Sequence, residues 1–149
     1  MIALKQFTSN DGNYSWFDVL LEDGDLVTDA GLESAVVLSL FLDRRAENDD
    51  VIDGDDKRGW WADGIDGDGD LIGSRLWQLS RAKTRADVLP LAEEFAEEAL
   101  EWMLEDGVAK SVTATAERIG QSTLKLTIMI QRPEGGPWSR AWEIQLDGI

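Results

Sequence analysis

Toward its C-terminus the chain alternates strictly. Leu124, Leu126, Ile128 and Ile130 are separated by Lys125, Thr127 and Met129, and Trp142, Ile144 and Leu146 resume the rhythm. A period of two places one set of side chains on each face of a strand. "SVTATAE" precedes these runs, and the turn sequences "RIGQS" and "RPEGGP" separate them. The pattern predicts a three-stranded antiparallel meander. Upstream the period lengthens: Ala92, Phe95, Ala96, Ala99, Leu100 and Met103 recur at helical spacing. Asp87 is placed to cap that helix, Pro90 falls in its first turn, and Gly107 stands where a stop is expected. Glu93, Glu94, Glu97, Glu98, Glu101 and Glu105 fall on the opposite side, which reads as a solvated face rather than an acid-base site.

Earlier still, "LESAVVLSLFL" from Leu32 to Leu42 is apolar on most sides and predicts a helix buried around most of its circumference. Asp29 is expected near its N-terminal cap. "SWFDVLL", Ser15 to Leu21, predicts a strand, and the "EDGD" after it a tight turn. Helices followed by a meander make the class α+β. The expected architecture is two main helices packed on a C-terminal three-stranded antiparallel meander, with a short N-terminal hairpin and a long acidic loop rich in Trp and Gly. No internal repeat or linker divides the chain, so residues 1–149 are expected to form a single domain.

Charge narrows the function classes. Thirty acidic against 14 basic residues leave a net charge of −16. That field repels phosphate backbones and argues against a nucleic-acid partner. The chain has no cysteine, which excludes disulfides and thiolate metal sites, and no histidine, the side chain most used for acid-base work near neutral pH. The opening "MIALKQFTSNDG" has no basic segment leading into an apolar run, and the longest apolar stretch, Ala35 to Leu42, is too short for a bilayer. The expectation is a soluble chain with no membrane partner.

Between Asp43 and Ser74 the chain is acidic, glycine-rich and without clean periodicity. Loops this long are usually functional or ordered by a partner. Asp66, Asp68 and Asp70 imitate the opening of a calcium-binding hand loop, where alternate oxygens converge on the ion. Leu71 stands where that loop needs glycine, and Trp77 where a bidentate glutamate closes the site. A calcium-dependent protein-binding module using Asp66–Asp70 is therefore the alternative reading, and no metal or cofactor is expected. Ser74 and Ser80 have no histidine to activate them, and "GDGDLIG" lacks the lysine of a phosphate-binding loop. No enzyme is expected.

What stands out is Arg44, Arg45, Arg58, Trp60, Trp61, Asp63, Gly73, Ser74, Arg75, Trp77 and Arg81. Arginine and tryptophan are enriched where protein surfaces bury strongly in interfaces. Arginine can equally hold an aspartate-rich loop by bidentate pairing. For each tryptophan taken singly, core packing is the better reading. The segment is expected to be rigid, part internal scaffold and part docking surface.

The blocks "LFLDRRAENDD", "RGWWADG", "GSRLWQLSRAK" and "AEEALEWMLEDGVAKSV", in this order, resemble the Mu-type phage baseplate protein family. The resemblance runs from about Trp16 to the last strand. That family is similar in turn to the baseplate wedge and sheath-initiator proteins of contractile tails and type VI secretion machines, small α+β proteins near the tail tube and sheath. The resemblance implies a non-enzymatic virion part, present in several copies per tail and assembled in the bacterial host cytoplasm. Its implied partners are other baseplate wedge, tube or sheath proteins.

Overall fold

The computed structural model describes residues 4–8, 15–19, 21–22, 25–26, 31–52, 54–59, 73–82 and 86–146. In chain order the strands and helices are β1 (Leu4–Thr8), β2 (Ser15–Val19), β3 (Leu21–Glu22), β4 (Asp25–Leu26) and α1 (Leu32–Phe41). A 3-10 turn (Leu76–Gln78) then leads into α2 (Leu79–Ala82) and α3 (Val88–Glu105). The meander β5 (Ser111–Arg118), β6 (Thr123–Gln131) and β7 (Trp138–Gln145) follows. The α+β class is as the sequence predicts. Among the described residues no helix is long and apolar enough to cross a membrane.

The expected N-terminal hairpin is present as β1 and β2, but the strand expected over Ser15 to Leu21 is shorter. β2 ends at Val19 and pairs backward, antiparallel, with β1, while β3 and β4 form a separate small pair. Val19, Leu20 and Leu21 are three apolar residues in a row, and such a run carries no period of two to sustain one long strand. The cap of α1 differs too. Gly31, at φ +90°, holds the N-cap position with no side-chain bond, and Asp29 lies outside the described residues. Glycine adopts this left-handed backbone without the Cβ penalty. At its other end α1 gives way at Leu42, whose backbone is extended.

Helix α3 has the predicted bounds and stripe, with Ala92, Ala96, Leu100 and Met103 fully buried. Asp87 stands at its N-cap, but its carboxylate closes no cap hydrogen bond. Its backbone, at φ −93° and ψ 6°, is not in the extended region from which a cap side chain reaches the N2 and N3 amides. At the far end Gly107 turns the chain at φ +73°, and the Ala109 N–H closes on the Met103 carbonyl at 3.0 Å.

The strand order is β5-β6-β7, antiparallel throughout. The alternation decides which face is inside: Leu124, Leu126, Ile128 and Ile130 are buried with Ala114, Ala116, Trp142 and Ile144. Burying each large aliphatic side chain contributes about 1.5–3 kcal/mol. Alanines on both α3 and β5 let the helix lie close to that strand. Trp102 ties α3 to α1 through its indole N–H, which donates to the Ser39 hydroxyl at 3.0 Å. Phe41 of α1 meets Trp142 of β7 edge to face, with ring centres 5.9 Å apart.

The glutamate side of α3 is not simply solvated. Glu94, Glu101 and Glu105 are exposed. Glu93, however, accepts the Ala116 N–H at 2.9 Å, and Glu97 accepts the Ala114 N–H at 3.1 Å. Glu98 holds arginine, as described below. Periodicity assigns a face, but a strand edge or a guanidinium beside that face can take up its carboxylates. The opposite border of the sheet is different. Leu146 donates to the Ser122 carbonyl, so even-numbered residues of β7 bond toward β6 in this register. Ser139, Ala141 and Glu143 therefore turn their N–H and C=O groups outward. Among the described residues, the Gln6 side chain reaches that border, donating to the Glu143 carbonyl at 3.2 Å.

Candidate functional site

The characteristic Arg/Trp segment converges where the chain leaves α1 and returns before α2. Asp43 and Ser74 form an isolated parallel bridge. The Ser74 N–H donates to the Leu42 carbonyl and the Arg44 N–H to the Ser74 carbonyl, each at 2.9 Å. The buried Ser74 hydroxyl donates to the Leu40 carbonyl, one of the carbonyls that the end of α1 leaves open. Gly73 sits at φ +90°, and a Cβ there would lie 2.7 Å from the Leu42 carbonyl carbon and nearer still to its oxygen. Only glycine lets the two chain segments come this close. Arg44 extends along the bridge and donates through Nε to the Gly73 carbonyl at 3.1 Å.

Arg75 is the centre of the polar cluster. Its Nε and Nη2 donate to the two Glu98 oxygens at 2.9 and 3.2 Å, and its Nη1 to Asp50 Oδ1 at 2.8 Å. The guanidinium also lies 4.5 Å from the centre of the Phe95 ring. This planar fork, stacked on an aromatic face and bonded through three nitrogens to two carboxylates, is a job lysine cannot do. Arg44 Nη1 approaches the same Glu98 at 3.8 Å. Asp50 is shared further: its Oδ2 accepts from Gln78 Nε2 and from the Glu47 N–H, both at 2.9 Å. Burial works to raise the Asp50 pKa, but the Gln78 and Glu47 hydrogen bonds and the Arg75 charge outweigh it and hold the carboxyl below its ordinary value. Burial likewise opposes the charge on Arg75, and Glu98 and Asp50 more than restore it.

Trp77 is buried, and its indole N–H donates to the Arg44 carbonyl at 2.8 Å. The Arg58 guanidinium covers the ring, 4.6 Å from its centre, and Nη1 pairs with Asp43 at 2.9 Å. Arg58 itself adopts a positive φ of 54°, uncommon outside glycine. Its N–H is held by Asp56 at 2.9 Å. At Gly59 a Cβ would press on Arg45 at 2.6 Å. Beside the Arg58–Trp77 stack opens a pocket of about 340 Å³, lined in part by Val51, Ile52, Asp56 and Gln78.

Six of the predicted residues thus meet in one network: Arg44, Arg58, Gly73, Ser74, Arg75 and Trp77. Arg45 and Arg81 are exposed, and Trp60, Trp61 and Asp63 lie outside the described residues. Sequence reasoning missed Asp50, Gln78 and Glu98 as partners. Their one signal was the surplus of acids near unassigned arginines, which names no pairing. The hand-loop aspartates Asp66, Asp68 and Asp70 also lie outside the described residues. Its closing position is Trp77, whose indole is buried and committed to Arg44. Among the described residues, no group of three acidic, histidine or cysteine side chains is placed to hold a metal ion.

Comparison with known proteins places this architecture. The chain is 41% identical over 133 residues to Baseplate protein gp46 of Escherichia phage Mu, covering 87% of this chain and 90% of that protein. It is 39% identical over 125 residues to Mu-like prophage FluMu protein gp46 of Haemophilus influenzae, covering 84% of this chain and 86% of that protein. The family described as Phage protein GP46 matches residues 32–137, from the first residue of α1 to the turn before β7. This span contains the whole clamp between Asp43 and Glu98, and the chain belongs to the Phage protein GP46 family.

Proposed function

We propose that this chain is a structural part of a phage or prophage tail baseplate, working through protein contacts and not through catalysis. The observation that carries this reading is the identity of 41% along 133 residues with a protein named as a baseplate protein. The geometry supports it. Arg44, Asp50, Arg75 and Glu98 are engaged with one another, tying the described segments that follow α1 and precede α2 to α3. Rigid presentation of a surface lowers the ordering cost of assembly. Arg44, Arg58, Gly73, Ser74, Arg75 and Trp77 are scaffold in this reading. Arg45, exposed beside this network, is the member offered to a neighbour. The outward N–H and C=O groups of Ser139 and Ala141 on β7, before the Glu143 carbonyl that Gln6 occupies, form a second contact line, one that an extended segment of a neighbour fits. The neighbours are wedge, tube or sheath proteins of a contractile tail, with several copies of this chain per virion, assembled in the host cytoplasm.

The test is deletion of the gene from an inducible prophage, with a tagged copy supplied in trans. Purified tails are then inspected by electron microscopy and mass spectrometry. Deletion should leave no complete baseplates, and the tagged copy should restore them and be found in the particle. Normal tails that lack the chain would overturn the proposal.

A further inference from the structure

The two borders of the meander are treated differently, and the difference has a specific agent. In the β5–β6 register Ile119 donates to the Thr123 carbonyl, so odd-numbered residues of β5 bond to β6 and even-numbered ones face away. Val112, Ala114, Ala116 and Arg118 thus present their N–H groups away from β6, on the side where α3 lies against the strand. An edge of this kind is a template for pairing with another chain. On its central two donors sit Glu93 and Glu97, four residues apart on α3 and therefore on one side of it. A carboxylate that accepts a strand N–H occupies the place of an incoming carbonyl and brings a negative charge to the border.

We infer that Glu93 and Glu97 are edge guards, which hold β5 closed to strand addition by a second copy of this chain. The strand itself is self-complementary. With Thr115 on a two-fold axis, Ala114 of one copy pairs with Ala116 of the other, Thr113 faces Glu117, and Val112 faces Arg118, so no like charges meet. In that register the two Ala114–Ala116 pairs exchange four N–H···O=C bonds. The two N–H groups that each copy contributes are those the glutamates now occupy. Closing this border leaves β7 as the side of the meander at which the sheet can grow. The inference does not depend on the tail reading, because its test needs only purified protein.

Two variants separate the guard from simple charge repulsion. Glu93→Ala with Glu97→Ala removes the acceptors while keeping good helix formers. Glu93→Gln with Glu97→Gln removes the charge and keeps an acceptor oxygen at each site. Sedimentation equilibrium should show the alanine pair self-associating at least about tenfold more tightly than wild type, and the glutamine pair behaving as wild type. Amide exchange on the wild-type protein adds a reading that no variant can spoil. The Ala114 and Ala116 amides should exchange about tenfold or more slowly than the unguarded outward amide of Val112. Equal exchange at all three amides overturns the inference. So does an alanine pair that associates no more than wild type, or a glutamine pair that associates as readily as the alanine pair.

Discussion

Asp50 lies 25 residues from Arg75 in the chain and 2.8 Å from it in space. Its two oxygens collect a guanidinium, an amide side chain and a backbone N–H, and that is what keeps the loop after α1 in one shape. Because its folded pKa is depressed, the sign of the pH effect follows. Between the folded value and the ordinary 3.8, the unfolded chain binds a proton that the folded chain refuses. Stability from this group is therefore complete above 3.8 and is lost as pH falls through the folded value. Asp50→Asn should cost about 1.5–3 kcal/mol at pH 7, the range for hydrogen bonds to a charged partner. The gap between variant and wild type should narrow in urea melts taken below pH 4, on the order of the ordinary carboxylate pKa. A gap of constant size across that series would mean that the charge on Asp50 contributes nothing.

At the level of elements, α3 serves three neighbours with three parts of its circumference. The apolar stripe meets the sheet, Glu93 and Glu97 meet the border of β5, and Glu98 meets the arginines of the loop. A helical wheel shows the first of these and hides the other two, since it places all the glutamates on one polar side. The distinction is measurable. Glu98→Gln weakens a bidentate pair and should cost about 1–3 kcal/mol. Glu101→Gln, three residues on and exposed, should stay within about 0.5 kcal/mol. Equal midpoints for the two variants in denaturant would show that Arg75 finds its compensation elsewhere.

For the whole molecule, the charge of −16 makes any dication mildly favourable, so calcium alone is an ambiguous probe. The useful comparison is calcium against magnesium at equal concentration. A hand loop in use would prefer calcium, with its larger coordination number. Here the closing position is a buried tryptophan, and the two ions should shift the thermal midpoint equally. A saturable rise specific to calcium, abolished by Asp68→Asn, would restore the binding-module reading.

The sequence alone determined the elements whose order is written in a local period. The alternation from Leu124 to Ile130 and the stripe from Ala92 to Met103 name their structure, because strand and helix repeat within a few residues. The characteristic Arg/Trp segment was legible as composition, and the block order was legible as a family resemblance. Tertiary structure decided what those residues are for. Arg75 to Glu98 spans 23 residues, Arg75 to Asp50 25, and Trp77 to Arg44 33. No short-range rule pairs charges across such separations in a chain with so many carboxylates to choose from. The choice is made by which backbone segments are brought together, here by the Asp43–Ser74 bridge and by the glycine that lets it close. The two borders of the sheet were settled the same way: β5 and β7 are both edge strands by pattern, and only the position of α3 beside one of them tells them apart.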